Sequence, residues 1–119
     1  MGKPVKIIYD KNKSIEVEKN YIVDNFLGSD LNAGYSVVRT HLDGKHPFMK
    51  NIKSNRTYYI LNGNGTFYFE KETINLKDGQ MLLIPANTKY GFKGKFDALL
   101  IDCPAFNPAD DVIYDEMID

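Results

Sequence analysis

Apolar and polar positions alternate in short runs along almost the whole chain, and hardly any stretch shows the period of a helix. The segments "PVKIIYD", "SIEVEK", "GYSVVRTHL", "TYYILNG", "GTFYFEK", "ETINLKDG", "QMLLIPA", "KYGFKG" and "FDALLIDC" are β-branched or aromatic and are bounded by Gly, Asn, Asp or Pro. Such spacing predicts short strands, and strands at this density predict a sandwich or barrel. "TYYILNG" and "GTFYFEK" flank an Asn-Gly pair, which predicts a β-hairpin turning there. Residues 20–34, "NYIVDNFLGSDLNAG", fit an irregular loop or a short helix. The tail "ADDVIYDEMID" places Val112, Ile113, Met117 and Ile118 at a weak helical spacing and predicts a terminal helix.

A length of 119 residues fits one domain, residues 1–119, able to bury its own core. The composition, 43% hydrophobic and 13% aromatic, is that of a soluble globular chain, and no apolar run is long enough to cross a bilayer. The start "MGKPVKIIYDKNK" lacks the apolar centre of a secretory signal. Cys103 is the only cysteine and cannot form an internal disulfide, so the expected location is a reducing one, the cytoplasm. Charge changes the picture at one end only. Residues 102 to 119 hold six acids and no Lys or Arg, while the first 101 residues carry 15 basic against 10 acidic side chains, a net +5. That excess is too mild and scattered for a nucleic-acid surface. The acidic end reads as a solvated tail or one that docks on the basic body.

Two spacings carry a more specific signal. The first is Gly44, "KHPFM", Lys50, Asn51, Ile52, "KSN", Arg56, "TYYILN", Gly63; the second is Gly79, "QMLLI", Pro85, Ala86, Asn87, "TK", Tyr90, "GFK", Gly94. These frames resemble the two motifs of the cupins, G-x5-H-x-H-x3-E-x6-G and G-x5-P-x-G-x2-H-x3-N. Asn87 stands where the second motif has its middle Gly and tolerates the same left-handed backbone. The resemblance covers about residues 34–105 and implies an all-β fold. That fold is a cupin jelly-roll β-barrel with short extra N-terminal strands and an acidic C-terminal tail.

In cupins the two His and the Glu of the first motif and the His of the second converge on a divalent metal. Here those places hold Lys50, Ile52, Arg56 and Tyr90, none of them a usual ligand, and two of them cations. The expectation is therefore a pocket with no metal and no cofactor, so elemental analysis should find no stoichiometric transition metal. By strand alternation His46, Lys50, Arg56, Tyr58 and Tyr90 are the polar candidates for its lining. Each has a plainer reading: a solvated Lys50, an Arg56 paired with Asp102 or another acid, a turn residue at His46, core aromatics at Tyr58 and Tyr90. His41 reads as an ordinary strand-end residue.

Three functions stay open on the sequence. One is a small-molecule binder in which Lys50 and Arg56 select a sugar phosphate or carboxylate, or another small polar ligand such as a sugar. Another is a metal-free sugar isomerase or epimerase using His46 and Tyr90 as acid and base. The third is a structural or interaction barrel without a ligand. The expected partners are a small molecule and a second copy of the chain, since the N-terminal strands offer an edge that a homodimer would cover. Nucleic acid and membrane are not expected.

Overall fold

The computed structural model describes residues 14–18 and 20–118. The chain runs through β1 (Ser14–Glu18), β2 (Tyr21–Leu27), a 3-10 turn (Ser29–Leu31), β3 (Ser36–Asn51), β4 (Asn55–Tyr68), β5 (Thr73–Lys77) and β6 (Met81–Ile84). It continues through β7 (Tyr90–Cys103), a second 3-10 turn (Pro108–Asp110) and β8 (Asp111–Ile113). All pairings are antiparallel. The path β1-β2-β3-β7-β4-β5 is open at its ends, with β6 beside β4 and β8 beside β3. The segment "PVKIIYD" lies outside the described residues.

Three long strands, β3, β4 and β7, make the body, and each merges what the sequence divides. "TYYILNG" and "GTFYFEK" do not form a hairpin; all but the end of the second run belongs to β4, which pairs with β7 from Asn55 to Tyr68. The Asn-Gly pair serves a bulge instead: the register slips at Leu61, between Ile60 opposite Ala98 and Asn62 opposite Asp97. Gly63 takes φ 91° there, and a Cβ on it would lie 2.8 Å from the Phe96 Cα, which leaves room only for glycine. Likewise Gly94, at φ 140°, bends β7 where it faces Gly44 on one side and Gly65 on the other. The turn signals thus mark places where long strands curl, as a jelly roll requires. Asn87 has the left-handed backbone expected of it, φ 62°.

Two further expectations change. Residues 20–34 hold β2 and one 3-10 turn instead of a loop or α-helix, because β2 pairs along β3 and buries Tyr21. The acidic tail is not a helix. Asp111–Ile113 add to β3 opposite Asn51, Lys50 and Met49, and Ile118 is buried. Lys45 Nζ donates to the Ile118 carbonyl at 3.0 Å and Lys89 Nζ lies 2.7 Å from Glu116, so the tail docks on basic side chains.

The core is aromatic. Tyr58, Phe67, Tyr90, Phe92 and Phe96 are each at most 2% exposed, and Phe67 stacks on Phe92 with ring centres 5.3 Å apart. No helix among the described residues is long and apolar enough to cross a membrane.

Candidate functional site

A cavity of about 290 Å³ opens beside this aromatic core. One wall is the inner face of β2, with Tyr21, Val23 and Asn25. Opposite stand His46 and Met49 from β3, Arg56 from β4 and Asp102 from β7, and the tail closes the edge with Phe106, Asp111 and Ile113. A larger open groove, about 790 Å³, runs past Phe48, Phe69, Leu82 and Lys89. The groove carries none of the buried polar side chains, whereas the smaller cavity carries Ser36, His46, Arg56 and Asp102, which makes it the candidate site.

His46 is 1% exposed, with its ring stacked on Phe92 at 4.6 Å and edge-on to Tyr21 at 5.0 Å. Its Nδ1 lies 2.7 Å from the Pro47 carbonyl, which can only accept, so Nδ1 carries a proton. In the neutral ring Nε2 then holds the lone pair.

Arg56 is 4% exposed and is the hub of the polar cluster. Its Nη1 donates to the Tyr90 hydroxyl at 3.1 Å, and that hydroxyl is 2.6 Å from the Tyr58 hydroxyl. Nη2 donates to Asp111 Oδ1 at 2.8 Å, and Nε lies 3.1 Å from Asp102 Oδ1. The Asp102 contact is an ion pair at an angle too poor for a hydrogen bond. Asp111 is held further by Asn51, whose Nδ2 donates at 2.9 Å while its Oδ1 accepts from the amides of Lys53 and Ser54 in the β3–β4 turn.

Burial sets the protonation here. It pushes the Asp102 carboxyl up from its ordinary 3.8 to about 6; Arg56 opposes the rise and the neighbouring Asp111 charge adds to it. Tyr58 and Tyr90 are likewise raised by burial and stay neutral. For Arg56, burial favours the neutral form, but the surrounding anionic and phenolic groups outweigh it and the guanidinium stays charged.

Of the five sequence-predicted site residues, the structure gathers His46, Arg56, Tyr58 and Tyr90 at or behind one cavity wall and sets Lys50 apart. His46 and Arg56 border the cavity. Tyr58 and Tyr90 do not; they are buried behind Arg56 and hold it from the rear. Lys50 lies outside the cavity, half-buried on the other face of β3 opposite Val112. The reason is a register shift between His46 and Met49, which turns Met49 and Asn51 inward and leaves Ile52 44% exposed. The plainer reading of Arg56, paired with Asp102, is what the structure has.

Sequence reasoning missed Tyr21, Asn25, Met49 and Asp111 as cavity residues, and saw Asp102 only as a partner. The available signal was the alternation Ala98, Leu100, Asp102 on β7, which sets a carboxylate in line with two core positions.

Residues at the motif's ligand places do not fit a divalent metal. Of those places Arg56 and Tyr90 are buried while Lys50 and Ile52 lie outward, so they supply a fixed cation and a neutral phenol in place of imidazoles and a carboxylate.

A second ionic cluster sits on the outer face of the same sheet. His41 Nε2 lies 2.8 Å from Asp24 on β2 and Nδ1 2.7 Å from Asp97 on β7. Asp97 also accepts from Arg39 and Asn62, each at 3.1 Å. A neutral imidazole has one N–H, so serving both carboxylates requires the protonated ring. Burial lowers the His41 value, yet the hydrogen bonds and charges of Asp24 and Asp97 outweigh it and leave it raised above 6.5.

No family profile matches the chain, and no curated protein matches it. Solved structures do. Pac13 from Streptomyces, described as a nucleoside dehydratase, aligns at 24% identity with TM-score 0.82 over 97% of this chain and 95% of its own. A histidine-to-glutamine variant of Pac13 with uridine aligns at 23% identity and TM-score 0.83, over 94% and 93%. KdgF from Halomonas sp. aligns at 14% identity and TM-score 0.72, over 82% and 91%. A cupin-2 domain protein from Shewanella frigidimarina aligns at 16% identity and TM-score 0.57, over 60% and 72%. With these neighbours, and with the first motif frame on β3 and β4 and the second running through β6 into β7, the chain has the cupin fold.

Proposed function

We propose that the protein binds a small polar molecule of sugar or nucleoside size in the cavity beside His46 and moves a proton on it, with His46 Nε2 as the accepting atom. The observation that carries this reading is His46 itself, a buried imidazole at a cavity wall whose Nδ1 is tied to a backbone carbonyl. A tautomer fixed in this way is what a general base needs, and stacking on Phe92 fixes the plane of the ring. The volume lies at the small end of ligand cavities, which run from roughly 300 to 1,000 Å³. A monosaccharide or a nucleoside suits it better than a dinucleotide.

Further support comes from the fold neighbours. Pac13 is described as acting on a nucleoside, and its tyrosine and histidine variants were solved with uridine. Proton abstraction followed by loss of hydroxide would be a dehydration; abstraction followed by return of the proton would be an isomerisation or epimerisation. Both begin at His46. Tyr21, which borders the cavity, is a better placed partner phenol than Tyr90, which stands behind Arg56.

The test is titration of uridine and of simple aldoses into protein labelled on histidine, followed by NMR. Shifts at His46 that saturate, with turnover lost and binding kept in His46→Gln, are the expected result. Saturation that leaves His46 untouched would remove the reading.

A further inference from the structure

The cluster at the cavity wall contains two carboxylates and one guanidinium. Nε and Nη2 form one edge of Arg56, the edge that commonly grips a single carboxylate with two parallel hydrogen bonds. Here two residues share it: Asp102 at Nε and Asp111 at Nη2. Nη1 is occupied by the Tyr90 hydroxyl, with Met49 Sδ at 3.7 Å. Nη1 and Nη2 therefore donate inside the protein, while Nε faces Asp102 Oδ1 at 3.1 Å as an ion pair without a hydrogen bond.

What remains is acceptor capacity. Asp111 Oδ1 receives two hydrogen bonds, from Arg56 and Asn51. Asp102 is 2% exposed, yet among the described residues no hydrogen bond of good angle reaches its Oδ1. A buried carboxylate oxygen left without a donor costs free energy, and a donor brought by a ligand would recover it. With one positive and two negative formal charges, the same wall repels an incoming anion.

We propose that Asp102 and Asp111 select the ligand by accepting hydrogen bonds from two neighbouring hydroxyl groups, so that the cavity takes an uncharged vicinal diol and excludes its phosphorylated form. The proposal rests on the cavity reading above and sharpens it. It replaces the anion selection expected of Lys50 and Arg56, since Lys50 is absent from the wall and Arg56 is already paired. The chemical class is a sugar or nucleoside with its hydroxyls free. An ammonium group could also donate to Asp102 but brings only one centre, so it would use one carboxylate where the diol uses both.

The experiment is a calorimetric comparison of uridine, 2′-deoxyuridine, uridine 5′-monophosphate, inorganic phosphate and ethanolamine, with the His46 NMR signal recorded in parallel. Uridine is expected to bind best. The deoxy compound should bind at least about tenfold more weakly, the weight of one hydrogen bond to a charged acceptor. The monophosphate, phosphate and ethanolamine should be weaker still. Asp102→Asn should erase the gap between the first two probes. Asp111→Asn, at a less buried side chain, should narrow it even if the first variant folds poorly. Tighter binding of the monophosphate or of ethanolamine, or an unchanged gap in both variants, overturns the proposal while a saturating His46 shift leaves the cavity reading standing. If no probe moves His46, the cavity reading falls and this proposal falls with it.

Discussion

The two faces of the sheet each carry a cluster of charges, and they are built differently. On the outer face Arg39 and the protonated His41 meet Asp24 and Asp97, joining β2, β3 and β7. On the inner face Arg56 alone meets Asp102 and Asp111. The outer cluster gives each carboxylate a cationic hydrogen-bond donor, is partly exposed, and clasps strands together. The inner one sets one guanidinium between two carboxylates, is almost dry, and borders a cavity. Burying a second carboxylate against one guanidinium costs desolvation, and the surplus acceptor is what the proposed diol would use.

Breaking the inner cluster should have the largest effect. Arg56→Met leaves two buried carboxylates without a cation, and denaturant unfolding should show a loss of about 3–5 kcal/mol. Adding Asp102→Leu to that variant should recover a good part of it, since an apolar replacement removes the stranded charge. If the single variant is as stable as the parent, the cluster is not buried as described.

The next effect is one of pH. The Asp102 value is raised in the folded state, so its contribution is fully present below 3.8 and is lost as pH rises through about 6. The loss is on the order of 3 kcal/mol, from the size of that displacement. In Asp102→Asn this part of the slope should vanish from a stability profile measured between pH 4 and 7.

Smaller again is the outer clasp. His41 is also raised when folded, so its contribution is full below 6.5 and disappears as pH rises through the folded value. His41→Ala should cost about 1 kcal/mol or less near pH 6, as befits a partly exposed pair, and should cost almost nothing well above that value. The smallest difference is in salt: at about 1 M the screening length is near 3 Å, so the outer contribution should shrink while the Arg56→Met loss persists.

The sequence was a good guide to the framework and a poor one to the wall of the cavity. Gly44, Gly63, Gly79, Pro85, Asn87 and Gly94 fall at motif spacings, and all but Pro85 take the positive φ that those places call for. The positions between them are set by side-chain direction, and one shifted register reverses it. That is why Lys50 was expected inside and Met49 is found there. The Asn-Gly pair misled for a related reason, since a positive φ serves a bulge as well as a turn. The acidic tail gave no sign of Asp111 as a cavity residue, because its place depends on β8 pairing with β3 across 60 residues of chain. Arg56 and Asp102 were legible as a pair; that a second carboxylate shares the cation was not.

The contrast between the two clusters turns on Asp102 being a carboxylate at the cavity wall that Arg56 does not fully neutralise. Carboxyl ¹³C NMR of the unliganded protein, followed from pH 3 to pH 8 and assigned with Asp102→Asn, tests it most directly. Asp102 is expected to titrate near 6, well above an ordinary aspartate. A value at or below 3.8 would mean that Arg56 neutralises it fully, and the inner cluster would then be a clasp like the outer one.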